Sequence, residues 1–150
     1  MQSVNKKNTI SLAIVDDNSD YRDALMYYFN QLEDIDVLFE AGNGLELMEN
    51  LKTAHPQVVL LDMEMPGMNG MDALRQLRDQ YPSVKFIMLT MYLEEALIKS
   101  FLHLGANSYL NKSATPQEIY TAIKACCTTD FYMNHWISDV LLKGVKKFAK

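Results

Sequence analysis

Strand-like and helix-like hydrophobic spacing alternate along most of this chain, and that alternation constrains the fold more than any other feature. Apolar runs rich in strand-forming residues fall at 10–15, 37–41, 58–61, 85–89 and 108–110, and stretches of helical spacing lie between and after them at 21–32, 45–54, 71–81, 94–104 and 116–126. A strand, a helix and another strand in succession need a crossover, so the strands run parallel and helices cover both faces of the sheet. Val58, Val59, Leu60 and Leu61 form an unbroken apolar run, as expected of a strand buried on both faces. The expected class is α/β, a doubly wound parallel sheet of five strands.

Local punctuation supports these boundaries. Thr115-Pro116-Gln117-Glu118 offers a capping box with proline at the first helical position. Asn43-Gly44-Leu45-Glu46 reads as a turn and cap, while Tyr81-Pro82-Ser83 and Gly105-Ala106-Asn107 mark the exits of the third and fourth helices. Residues 1–9 read as a leader and 10–127 as one folded domain. The tail at 128–150 reads as a connector to residue 134 and then a helix over 136–148 carrying Lys143, Lys146 and Lys147. Its expected role is that of a linker helix, loosely packed or solvated; the alternative is a dimerising or output-coupling segment.

Bulk properties narrow the function classes. A chain of 150 residues suits one domain and can bury roughly two thirds of its unfolded surface in a single core. The net charge of −5 argues against a free-standing nucleic-acid binder, which needs a basic excess to neutralise phosphates. Cys126 and Cys127 are the two cysteines, and adjacent residues are too close for an ordinary disulfide, so reduced thiols and a cytoplasmic location are expected. No apolar run reaches membrane-spanning length and the start lacks a signal-peptide core.

In open parallel sheets, ligands bind outside the carboxyl ends of the strands, where the winding direction reverses. The first strand ends in Asp16 and Asp17, the third in Asp62 and the fourth in Thr90, and Lys112 follows the fifth within two residues. Singly, each is an ordinary capping or solvated residue. Together they bring three carboxylates, a hydroxyl and an ammonium to one crevice. Crowded carboxylates either protonate or bind a cation, and a hard dication such as Mg²⁺ suits oxygen donors with room for the backbone carbonyl of Glu64. With that charge in place Asp62 can attack phosphorus, while Lys112 and Thr90 bind the remaining equatorial oxygens.

The run Leu60-Leu61-Asp62-Met63-Glu64-Met65-Pro66-Gly67-Met68-Asn69-Gly70 resembles the phosphoacceptor strand and loop of two-component response-regulator receiver domains. Val15-Asp16-Asp17, Met88-Leu89-Thr90 and the segment from Gly105 to Lys112 resemble that family too, so the likeness spans residues 10–127. It implies a flavodoxin-like (βα)5 fold with strand order 2-1-3-4-5. It also implies that Asp62 is the phosphoacceptor, that Asp16 and Asp17 are the acid pair with Asp17 the more direct Mg²⁺ ligand, and that Thr90, Lys112 and the aromatic Tyr109 form the switch. Met91 after Thr90 and Ser113 after Lys112 depart from many receivers, but together with Tyr92 and Asp130-Phe131-Tyr132 they resemble the LuxR-type (NarL/FixJ-like) subfamily. Members of that subfamily join a receiver to a helix-turn-helix domain, which does not follow here, so a truncated chain or a single-domain relative is expected.

The implied function is a phosphorylation-activated switch rather than an enzyme, controlling transcription through an output domain. Implied partners are a histidine kinase or phosphotransfer protein, a second copy through the face of the fourth helix, fifth strand and fifth helix, and DNA only through the output domain. Three other classes fit less well. Aspartyl phosphatases of the haloacid dehalogenase type place the nucleophile after the first strand with a second Asp two residues on, whereas residue 64 is Glu. A flavin or nucleotide carrier needs a phosphate-accepting loop, and residues 16–20 are acidic and lack glycine. A pseudo-receiver would lack at least one of the key residues, and all are present.

Overall fold

The structure, a computed structural model, describes residues 8–92 and 94–148, the last five by backbone alone. Most of the expected leader, and the side chains of Lys146 and Lys147, lie outside the described residues. Strands β1 (Ile10–Val15), β2 (Ile35–Ala41), β3 (Val58–Asp62), β4 (Lys85–Thr90) and β5 (Ser108–Asn111) alternate with helices α1 (Ser19–Asn30), α2 (Gly44–Leu51), α3 (Gly70–Leu77), α4 (Glu95–His103) and α5 (Pro116–Thr129), and α6 (His135–Phe148) follows. All pairings are parallel and the strand order is β2-β1-β3-β4-β5, as expected. Register places Val15 beside Leu61 and Asp62 beside Leu89, so the strand ends line up at one edge of the sheet.

Strand alternation divides the core into two layers. Leu12, Ile14, Leu60, Ile87, Leu89 and Leu110 face α1 and α5, where Phe29, Ile119 and Ile123 cover them. Ala13, Val15, Val59, Leu61, Phe86, Met88 and Tyr109 face α2, α3 and α4. Helix starts follow the side-chain caps: Asn18, Asn43, Asn69 and Thr115 each accept the backbone N–H three residues on. The Thr115 half of the expected capping box is present, while Glu118 Oε2 accepts from the Tyr132 hydroxyl at 3.4 Å.

Three differences from the sequence expectations have local causes. Helix α3 stops at Leu77 rather than residue 81 because Arg78 turns back over the following loop. Its guanidinium donates to the carbonyls of Tyr81 (2.8 Å), Pro82 (2.9 Å), Val84 (2.6 Å) and Gly105 (3.0 Å). Helix α5 runs on to Thr129 and ends on Asp130, a non-glycine residue at φ 75°. The connector beyond it is pinned to the starts of β4 and β5: Asn107 Nδ2 donates to the Asp130 carbonyl (2.8 Å), Ser108 Oγ to the Tyr132 carbonyl (2.7 Å), and Lys85 pairs with Asp130 (2.6 Å). Helix α6 is also anchored more firmly than expected. Ile137 is 0% and Val140 3% exposed, and Ile137 joins the core layer of α4 with Trp136 and Leu141 packed around it.

Candidate functional site

The crevice lies at the carboxyl end of the sheet where the chain leaves β1 for one face and β3 for the other. Asp16 follows β1, Asp62 closes β3, and both are buried, at 1% and 0% exposure. Lys112, just past β5, reaches between them, with Nζ 2.9 Å from Asp16 Oδ2 and 3.0 Å from Asp62 Oδ1. Asp17 is exposed at the mouth, yet Asp16, Asp17 and Asp62 each offer a carboxylate oxygen within 4.8 Å of one another. The residues expected at this point from the sequence therefore converge.

Local backbone geometry sets these side chains. Asp16 Oδ1 accepts the N–H of Asn18 at 2.8 Å, and the Arg22 guanidinium donates to the Asp16 carbonyl while pairing with Glu40 at 2.7 Å. Asp62 Oδ1 accepts the N–H of Glu64 at 3.0 Å. Gly70 lies so close beneath the loop that a Cβ there would come within 2.4 Å of the Asp62 carbonyl oxygen and 2.8 Å of Met63 Cα. A side chain at that position would push the Asp62 backbone out of place.

The electrostatics leave this cluster short of positive charge. Burial pushes the Asp62 carboxyl up to about 7, against the hydrogen bond from Lys112, and the charge of Asp16 adds to the upward push. Burial also opposes the charge on Lys112, but its bonds to Asp16 and Asp62 prevail and hold the ammonium above its ordinary value. Asp62 Oδ2 is buried without a hydrogen-bond partner. Three converging carboxylates against one ammonium, with an oxygen left unsatisfied, fit a hard divalent cation, and the cluster can hold a metal ion.

Thr90, the last residue of β4, is fully buried, and its hydroxyl donates to Glu64 Oε2 at 2.6 Å. Tyr109 on β5 is fully buried too, its ring centroid 5.2 Å from that of Phe101 of α4 and tilted by 43°, with its hydroxyl donating to the Tyr92 carbonyl at 2.8 Å. Burial pushes its phenol up to about 12.

Sequence reasoning missed one participant and gave another only part of its place. Tyr21 on α1 lays its ring 5.2 Å from Lys112 Nζ and lines a cavity of about 330 Å³ with Met91, Asn111, Lys112 and Ser113. Burial and the Asp16 charge push its phenol to about 12. Glu64 was expected to contribute a backbone carbonyl, but its side chain also engages Thr90. Helical spacing gives Tyr21 only an inward direction, and a Glu in a loop carries no partner in its own sequence.

Comparison with known proteins fits this geometry. A family model described as the response regulator receiver domain matches residues 12–124. The transcriptional regulatory protein LnrK of Bacillus subtilis (strain 168) is 32% identical over 94% of this chain and 68% of its own length. Response regulator UvrY of Escherichia coli (strain K12) is 34% identical over 83% of this chain and 57% of its own. With an uncharacterised B. subtilis regulator, YhcZ, matched over 51% of its length, the chain spans about half to two thirds of these relatives. The signal receiver domain of a NarL response regulator from Mycobacterium tuberculosis superposes with a TM-score of 0.75 at 27% identity, covering 79% of this chain and 96% of that one. A LuxR-family response regulator from Aurantimonas sp. SI85-9A1, at 24% identity and TM-score 0.83 over 91% of this chain and 97% of that one, shares the fold. The matched length, the strand order and the shared likeness to transcriptional regulators agree: this chain belongs to the response regulator receiver domain family of two-component systems, with LuxR-type regulators among its homologues.

Proposed function

We propose that this chain accepts a phosphoryl group on Asp62 from a histidine kinase or phosphotransfer protein and acts as a Mg²⁺-dependent switch. The observation that carries this reading is the Asp16–Lys112–Asp62 cluster, in which Asp62 Oδ2 is buried and unsatisfied. A carboxylate oxygen of Asp62 attacks phosphorus, the donor leaves with the electron pair of its bond to phosphorus, and an acyl phosphate forms. Lys112 neutralises one phosphoryl oxygen and the Thr90 hydroxyl donates to another, so the protein contributes position and charge rather than covalent chemistry of its own. Asp16, Asp17, Asp62 and the Glu64 carbonyl would hold the metal. When bound, Mg²⁺ supplies the positive charge that an incoming anion needs beside three carboxylates.

In this reading residues 10–127 form the receiver, and 128–150 link it to the remainder of a longer regulator or to a partner. Tyr109 couples the phosphorylation site to the face of α4, β5 and α5, through which two copies pair, and DNA contact comes only through an output domain outside this chain. Among the described residues no helix is long and apolar enough to cross a membrane, and a cytoplasmic location suits a partner kinase and reduced cysteines.

Intact mass after incubation with acetyl phosphate, with and without Mg²⁺, tests the reading. One added phosphoryl group is expected in the wild type with Mg²⁺ and none in Asp62→Ala. A protein that gains nothing with Mg²⁺, or an Asp62→Ala variant that gains as much, overturns it.

A further inference from the structure

Lys112 carries a compact charge on a flexible four-carbon stem, so its neighbours must keep that charge at the crevice. Its Nζ lies 2.9 Å from Asp16 Oδ2, 3.0 Å from Asp62 Oδ1 and 5.2 Å from the centre of the Tyr21 ring. The last distance is within the range over which an aromatic face attracts an ammonium. Tyr21 comes from α1, packs at the edge of the core layer beneath α1 and α5, and bounds the cavity of about 330 Å³ beside the lysine. Its hydroxyl is buried without a hydrogen-bond partner in the protein, so no bond of its own oxygen holds the ring there. A leucine would fill the same place at the core edge; only an aromatic face also meets the ammonium.

We propose that Tyr21 is a positioning residue for Lys112: its ring holds the ammonium at the crevice while the carboxylates beside it change state. The role in phosphorylation rests on the phosphoacceptor reading; the hold on Lys112 in the unmodified protein does not. In that reading Asp62 gives up its free carboxylate to an acyl phosphate, and Asp16 takes part in holding a dication. Both charged partners of Lys112 are thus altered in the reaction, and the aromatic face is the partner that is not. A ring face attracts an ammonium less strongly than a charged oxygen does, so it steadies Lys112 without keeping it from the phosphoryl group. Without the ring, the long stem has room to swing into the neighbouring cavity, and Lys112 meets the incoming phosphoryl group less often.

The test pairs phosphorylation rates by intact mass with NMR of the full chain carrying isotope-labelled lysine, the Lys112 signal being assigned by its loss in Lys112→Arg. An aromatic face shifts the methylene protons lying over it upfield. In the unmodified protein that shift is expected for Lys112 in the wild type and in Tyr21→Phe, which keeps the ring, and is expected to vanish in Tyr21→Leu. With acetyl phosphate and Mg²⁺, Tyr21→Phe is expected to react within about twofold of the wild-type rate and Tyr21→Leu about three- to tenfold more slowly. Tyr21→Met, apolar and adaptable, is expected to behave as Tyr21→Leu does and decides the matter if that variant folds poorly. Wild-type rates in both Tyr21→Leu and Tyr21→Met, a slow variant whose Lys112 signal matches the wild type, or Tyr21→Phe as slow as Tyr21→Leu overturns the proposal. A wild type that gains no phosphoryl group contradicts the acceptor reading instead, while the Lys112 signal of the unmodified variants still decides whether the ring holds the lysine.

Discussion

Asp62 sits where the proposed function and stability oppose each other. Its carboxyl, raised from 3.8 to about 7 chiefly by burial, ionises in the unfolded chain before it ionises in the folded one. The folded state therefore binds more protons across that window, and stability falls as pH rises through it. In the metal-free protein Asp62→Asn is expected to be more stable than wild type by about 1–2 kcal/mol near pH ~8, and the difference should vanish near pH ~4. Thermal melts of both proteins across that range check this, and Mg²⁺ should narrow the gap by stabilising the wild type more than the variant, which lacks one of the carboxylates. Arg78 is the opposite case, a charge serving the fold. Its guanidinium satisfies four backbone carbonyls from two separate loops. Arg78→Ala is expected to cost about 2–3 kcal/mol in denaturant unfolding, because those carbonyls lose a charged donor. Asp16, Asp62 and Lys112 were legible in the sequence because each is a polar residue ending or following an apolar strand. Arg78, Tyr21 and the side chain of Glu64 were not, because their partners are carbonyls, rings and hydroxyls brought together only by the fold.

At the scale of elements, the five strands and the first five helices could be read from periodicity, with errors confined to their ends. Helical spacing overruns α3 because Gln80 and Tyr81 continue a pattern that the Arg78 turn interrupts. The docking of α6 was not legible. Ile137 and Val140 lie three residues apart, as in any amphipathic helix, and nothing in that spacing says that Ile137 enters the core layer of α4. Ile137→Ala is expected to cost about 2–4 kcal/mol, the range for emptying a buried aliphatic site. Trp136, the single tryptophan, packs at the same place, so its fluorescence should report the release of α6. An unchanged emission spectrum and unfolding midpoint in that variant would mean that α6 contributes nothing to the core.

For the molecule as a whole, topology explains why the acidic residues share one crevice. The order β2-β1-β3-β4-β5 places the ends of β1 and β3 side by side and sends the following helices to opposite faces, opening the crevice that Asp16 and Asp62 share. The same order puts β5 at the sheet edge, where Tyr109 links the crevice to α4 and the connector from α5 is bonded along the strand. That order was implied by the family resemblance and not by the hydrophobic pattern, since alternation alone fixes a parallel sheet but not which strand lies at its centre. The most direct measurement is to map the modified residue: borohydride reduces an acyl phosphate to an alcohol, turning a phosphorylated Asp into homoserine that peptide mass spectrometry can place. Homoserine at position 62, only after treatment with acetyl phosphate and Mg²⁺, is the expected result. Homoserine at position 16 or 17 instead, or none in a sample whose intact mass has risen, would contradict Asp62 as the acceptor.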